Sequence, residues 1–249
     1  MASYVPAVLI ALLMFSHVMD AMASDDLGFF FFVLMWPGGF CKLSSEGCCD
    51  PKVGEPISDF FARGLLPYSN NGTALTNCSK CTFHLDEVSD MMGDLYSYWS
   101  DISCPSADSI NLWKFTWETY GVCSGLTQHD YFNKSLDILK EIDMLKRLEK
   151  YNIIPIEYHD YPVREIMEAI EAEFNVTATI ECSSNSVADY QLYKIYLCLD
   201  KDLTKLISCP VPAPEEIEYC PEYIAFSPYT PQNETSMAAN PIRMSTVPE

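Results

Sequence analysis

Proton transfer near neutral pH is most easily done by imidazole, whose ordinary pKa of about 6.5 lies close to working pH. The chain has four histidines, His17, His84, His129 and His159. His17 falls inside an N-terminal apolar segment, so three are left for chemistry. His84 and His129 each stand just before a stretch of helical period and read as capping or solvent-facing residues. His159 lies in a polar turn beside Asp160 and reads the same way. Metal chemistry is no better supplied. Cys78 to Cys81 is the one C-x-x-C, and without a second pair it points to neither zinc nor a redox couple. No metal or other cofactor is expected. The eleven cysteines instead imply an oxidising compartment and structural disulfides, and their odd number leaves at least one outside any intramolecular pair.

The elements that would position such groups follow from apolar patterning. Residues 1–23 contain the apolar run Pro6 to Phe15 and end in Ala21-Met22-Ala23, the small-residue pattern of a signal-peptide cleavage site. A buried N-terminal helix is the other reading of that run. It is too short to cross a bilayer, and no later stretch reaches the roughly 20 apolar residues a membrane helix needs. The run Gly28 to Trp36, closed by Pro37-Gly38-Gly39, reads as a buried central strand. Asp59 to Leu66 reads as a second strand stopped by Pro67. Helical periods follow over Leu85 to Trp99. They are clearest where Phe132, Leu136, Leu139, Leu145 and Leu148 share one face of a single long helix. Asp160 reads as an N-cap, with Pro162 in the first turn of a helix running to about Phe174. Beyond it, Val176 to Cys182, Tyr190 to Leu199 and a segment near Ile217 to Phe226 read as strands. The class is α+β. Residues 227–249, rich in Pro, Ser, Thr and Asn, read as a disordered tail after a domain spanning 24–226.

With 35 acidic against 15 basic residues the net charge is −20. Nucleic-acid affinity usually comes from Lys and Arg neutralising phosphates, and no basic cluster is visible, so RNA should bind weakly at most. Five N-x-S/T sequons, at Asn71, Asn77, Asn133, Asn175 and Asn233, are candidate glycan acceptors in a secreted chain.

Four stretches resemble the ribonuclease T2 family, most closely its plant S-like branch. They are Phe29 to Cys41 (FFFFVLMWPGGFC), Cys48 to Pro67 (CCDPKVGEPISDFFARGLLP), Trp113 to Cys123 (WKFTWETYGVC) and Gln191 to Cys198 (QLYKIYLC). The resemblance implies a central antiparallel sheet with flanking helices, stapled by Cys41–Cys48, Cys49–Cys104, Cys78–Cys123, Cys182–Cys220 and Cys198–Cys209. Cys81 is left over. In a polar loop it is expected to be exposed and to form a disulfide-linked dimer or a small-thiol adduct; the competing readings are a shielded free thiol and a swap in which Cys81 replaces Cys78 as the partner of Cys123.

The family's reaction is metal-free transphosphorylation of RNA through a 2′,3′-cyclic phosphate, carried by histidines in two motifs. Here the first motif reads Ala62-Arg63-Gly64-Leu65-Leu66-Pro67, with Arg63 at the histidine position. The second places Phe115 and Tyr120 at its two histidine positions, Thr116 at the glutamate and Thr119 at the lysine. Arginine does not exchange a proton at neutral pH, and tyrosine, with an ordinary pKa of about 10, is a poor base there. Arg63 could still hold a phosphate bidentately, but an acidic chain favours a surface or carboxylate-paired arginine. Tyr120 reads as a packing or hydrogen-bonding residue. Met35 stands where the family commonly has a base-reading glutamine, and a thioether lacks the amide's paired donor and acceptor. The resulting expectation is a secreted or vacuolar T2-like protein that has lost catalysis and serves storage, defence or binding. The alternatives are an active acidic endoribonuclease and a carbohydrate- or protein-binding module on the same fold.

Overall fold

The computed structural model describes residues 26–43, 47–184, 189–212 and 220–231. The expected signal segment, Asn233 and most of the expected tail lie outside the described residues.

The fold is α+β, built on one sheet in the order β2-β1-β5-β7-β3, with β4 and β6 also paired to β5. The strands are β1 (Leu27–Met35), β2 (Phe61–Ser69), β3 (Asp160–Pro162), β4 (Thr179–Ser184), β5 (Tyr190–Asp200), β6 (Leu206–Ile207) and β7 (Tyr223–Ala225). The helices are α1 (Pro37–Cys41), α2 (Met92–Tyr98), α3 (Ile110–Thr119), α4 (Gln128–Ile142), α5 (Met144–Glu149) and α6 (Val163–Phe174). Pairing is antiparallel throughout except where β5 meets β7 at Gln191 and Ala225.

β1 is a continuous apolar run because both of its faces are covered. Phe30, Phe32 and Leu34 enter the main core beneath the helices, while Phe29, Phe31 and Val33 pack on the other face with Tyr68, Tyr196 and Cys198. The four phenylalanines are fully buried, each worth about 1.5–3 kcal/mol relative to exposure.

The backbone departs from its sequence-based expectations at several places. β2 does not stop at Pro67 but runs through it to Ser69. β2 is an edge strand, and there proline's missing N–H costs no ladder bond. The expected helix over Leu85 to Trp99 is a 3₁₀ turn, Leu85–Met91, followed by the short α2. The expected single long helix is two, because Asp143 takes the left-handed conformation (φ 45°, ψ 53°) between α4 and α5. Aspartate tolerates that conformation, and apolar period gives no sign of it. Asp160 caps no helix: Asp160–Pro162 pairs with Tyr223–Ala225 as β3, and Pro162 itself takes the cap position of α6. Finally, Ser227 to Pro231 stay on the domain, with the Ser227 carbonyl accepting the Trp36 indole N–H at 2.7 Å and Tyr229 packing edge-on against Phe61.

The five bridges are Cys41–Cys48, Cys49–Cys104, Cys78–Cys123, Cys182–Cys220 and Cys198–Cys209, the pairs that the resemblance implies. Cys81 lies outside them, and its expected exposure is wrong. It is 8% exposed and belongs to the main core together with Cys123. The Cys78–Cys123 bridge draws this segment inward, and the Cys81 N–H turns back to the Ser79 hydroxyl at 3.3 Å. Burial removes the premise of a Cys81-linked dimer. In native protein a maleimide should therefore label Cys81 about 100-fold more slowly than in urea-unfolded protein. Labelling at equal rates in the two states would place the side chain at the surface.

Candidate functional site

The site begins at the C-terminal end of β1. After Met35 the chain turns through Trp36-Pro37 into α1, and the Trp36 N–H donates to the Tyr193 carbonyl at 2.8 Å. Gly39 lies directly against the Leu192 backbone carbonyl and Gly38 against that of Ser227, so a side chain at either position would collide with backbone. The glycines let α1 sit on β5 and hold Phe40 beside Tyr193, ring centroids 6.5 Å apart.

Arg63 reaches the same place from β2. Val33 pairs with Gly64 and Leu34 with Ala62, which leaves Arg63 as the extra residue of a β-bulge. A bulge breaks the strict alternation of a strand and re-aims the side chain it carries. Here it sends Arg63 to Met35. The Arg63 Nε donates to the Met35 Sδ at 3.0 Å, its Nη1 donates to the Ser100 carbonyl at 3.2 Å, and its guanidinium lies 5.7 Å from the centre of the Phe40 ring. Burial pushes the guanidinium down from its ordinary range, while Tyr193 and Asp101 pull it partly back. The expectation of a surface or carboxylate-paired arginine is thus corrected. Arg63 is half-buried, and among the described residues it holds neutral acceptors and a ring.

The second motif is a helix with two functions on two faces. In α3, Trp113, Thr116 and Trp117 are buried, and the Trp113 indole N–H donates to the Trp99 carbonyl at 2.8 Å. Gly121 follows, and a side chain there would meet the Trp117 ring. The Thr116 hydroxyl donates to its own helix at Leu112, 2.8 Å away, while its methyl lies 3.8 Å from where a Gly64 Cβ would stand. β2 and α3 therefore abut, which brings the two motifs side by side. Phe115 points outward, 60% exposed, with Tyr120 packed edge-on at 6.3 Å. Thr119 is half-buried, and its carbonyl accepts the Asn77 N–H at 2.8 Å.

The histidines lie elsewhere. His129 falls inside α4, where it pairs with Asp90 at 3.0 Å, and Thr127 rather than His129 caps the helix. Donating a hydrogen bond to the Asp90 carboxylate holds the imidazole above its usual range. His84 stands at the cap position of the 3₁₀ turn without capping it, its ring 3.2 Å from the Thr82 hydroxyl. His159 packs edge-on against Tyr161. Among the described residues no group of three or more His, Cys, Asp or Glu could hold a metal ion. The four described sequon residues, Asn71, Asn77, Asn133 and Asn175, are all exposed.

Sequence reasoning missed Ser100, Tyr193 and Tyr131. Tyr131 is fully buried in α4, and its hydroxyl donates to the Leu65 carbonyl at 3.0 Å and accepts the Leu65 N–H at 3.2 Å. It thereby satisfies the open edge of β2 two residues from the bulge. Farther along, Leu75 donates to Pro67 and Ser69 donates to Thr73, closing the same edge. Nothing in the helical period of α4 distinguishes Tyr131 from an ordinary core aromatic.

The sequence model of the Ribonuclease T2 family matches residues 27–209. Intracellular ribonuclease LX of Solanum lycopersicum is 36% identical over 191 residues, 76% of this chain and 80% of that protein. A ribonuclease-like storage protein of Panax ginseng is 29% identical over 209 residues, 83% of this chain and 85% of that one. Among solved structures, RNase NT in complex with 5′-AMP superposes with a TM-score of 0.76 at 33% identity, covering 82% of this chain and 99% of its own.

Replacing Tyr131 with Phe leaves the buried N–H and C=O of Leu65 without their partner. Global stability should fall by about 1–3 kcal/mol, read as a lower urea midpoint at unchanged m-value. An unshifted midpoint would show that the hydroxyl does not support the β2 edge.

Proposed function

The chain belongs to the ribonuclease T2 family, and from that premise we propose that it keeps the family's scaffold without its RNA-cleaving chemistry. It is a secreted or vacuolar protein of the S-like branch, with a storage, defence or binding role. The observation that carries this reading is Arg63. The residue at the first motif's histidine position is a guanidinium that cannot cycle a proton at neutral pH, and two of its donors are already spent on Met35 and Ser100. The same contact fills the side of the site where Met35 replaces a base-reading amide. At the second motif, Phe115 offers an aromatic ring, Thr116 turns its hydroxyl back into α3, and Tyr120 packs on Phe115. A positioned acid or base contributes about 100- to 10,000-fold to such a reaction, so losing both leaves little rate. None of His84, His129 and His159 is held by contacts with these residues. The likeness to a storage protein supports a reserve role, and the five bridges suit a protein that must persist.

The expected signal segment 1–23 and the disulfides support entry into the secretory pathway, and among the described residues no helix is long and apolar enough to cross a membrane. Glycans on Asn71, Asn77, Asn133 and Asn175 fit their exposure. RNA binds weakly at most, given the net charge of −20.

The second reading is an active acidic endoribonuclease, favoured by the 36% identity to ribonuclease LX. One assay separates the two. Homogeneous, fully oxidised protein incubated with RNA across pH of about 4 to 8, where imidazole chemistry appears, should release no 2′,3′-cyclic nucleotide above a boiled control. Release that co-purifies with the protein would establish the second reading.

A further inference from the structure

The segment leading into β2 meets the break between α4 and α5 over a small cavity of about 200 Å³, lined by Asp59, Phe60, Tyr98, Lys140, Asp143 and Met144. Asp59 is half-buried there, and its Oδ1 accepts the Phe60 N–H at 2.6 Å. Among the described residues no cation pairs with it. Lys140, the one basic residue on the cavity wall, gives its Nζ to Asp94 at 2.6 Å and lies 5.3 Å from the centre of the Tyr98 ring. Asp143 shares the cavity wall with Asp59, the Leu145 N–H reaches its carboxyl, and the exposed Glu149 adds a further negative charge from α5. Lys146 leans toward Asp143 at 3.6 Å, on the exposed side. The break is itself a joint: Asp143 is left-handed at φ 45° and ψ 53°, so α4 and α5 meet at a single backbone unit.

We propose that the contact of Asp59 with the α4–α5 joint is a proton-gated latch, closed while Asp59 is protonated and loosened when it ionises against Asp143 and Glu149. Protonated, the carboxyl packs over the cavity as a neutral group. Ionised, it is a half-buried anion near two others, and the joint relieves the repulsion by opening α5 toward solvent. The direction of the proton linkage agrees. Burial, with Asp143 and Glu149 adding to it and the Phe60 and Leu145 N–H groups opposing, pushes the Asp59 carboxyl from 3.8 up to about 6. A folded-state value above the solvated one means that the closed latch holds a proton the open one releases. Closure is therefore strongest below a pH of about 4, weakens as pH rises toward 6, and is level above that. The latch sits at the start of the strand that carries Arg63, so it couples an acidic compartment to the cohesion of β2 with the helical layer.

The test uses the full-length oxidised protein. Amide hydrogen exchange of α5 and the last turn of α4, corrected for intrinsic rates, is followed from pH 4.5 to 7.5 beside the carboxyl titration of Asp59 by NMR. Opening should rise by about tenfold, less than the full shift would give because the group is partly screened by solvent. In Asp59→Asn the exchange should be level at the closed value. In Asp143→Asn, which keeps a residue tolerant of the left-handed conformation, the pH dependence should be shallower. Amides of β5 should not change in any of the three. A level wild-type profile, a dependence equally strong in Asp59→Asn, or titration of Asp59 near its ordinary value would overturn the proposal. Should Asp59→Asn fail to fold, an unchanged slope in Asp143→Asn overturns it alone.

Discussion

β1 must bury both of its faces, and the rest of the molecule is arranged to let it. A strand of Phe29-Phe30-Phe31-Phe32-Val33-Leu34-Met35 has no polar side to turn to water, so it has to be central, with β2 and β5 hydrogen-bonded to it and a layer packed on each face. One layer is the helical one. The other is thin, made by Tyr68, Tyr196 and the β6 segment, which the Cys198–Cys209 bridge holds against β5. Both ends of β1 then become places where chain must leave in a defined direction. The C-terminal end is the one that leads to chemistry, because Trp36, Gly38 and Gly39 press α1 onto β5 and leave Met35 beside the bulged residue of β2.

The bulge is the second consequence of that constraint. A regular β2 would give the residue after Ala62 no route to Met35, whereas the extra residue frees Arg63 to reach the thioether, the Ser100 carbonyl and the Phe40 ring at once. The position is held from outside by Tyr131 on the strand edge and from the side by the Gly64–Thr116 contact with α3. α3 in turn depends on Trp113, Trp117 and Gly121 rather than on Phe115, which faces outward, or Tyr120, which is half-buried beside it. On α3 the packing residues Trp113 and Trp117 and the outward Phe115 thus occupy different faces, while Thr116, also at a motif position, packs inward against β2.

Much of this was legible in the residues. The unbroken apolar run announced a doubly covered strand, and the cysteine framework carried by the family resemblance matched the five bridges pair for pair. What the sequence concealed was backbone conformation and tertiary pairing. Asp143 breaks a helix whose apolar period continues across it, Pro67 sits inside a strand because that strand is at an edge, and Asp160 is taken into β3 by a partner more than sixty residues away. Cys81 looked like an exposed loop thiol because its neighbours are polar, and it is buried because the adjacent Cys78–Cys123 bridge turns the segment inward. The environment of Arg63 was equally hidden, since Ser100 and Tyr193 carry no motif and the bulge leaves no compositional mark.

The proposed loss of catalysis turns on the proton-transfer positions Arg63, Phe115 and Tyr120. The most direct measurement is the RNA-cleavage rate of the triple variant Arg63→His, Phe115→His, Tyr120→His beside its parent across the pH range where imidazole titrates. A scaffold that lacks proton transfer should gain at least a hundredfold over the parent, the scale of one positioned acid or base, with a bell-shaped pH profile. A parent that already cleaves RNA as fast as the triple variant would contradict the proposed loss.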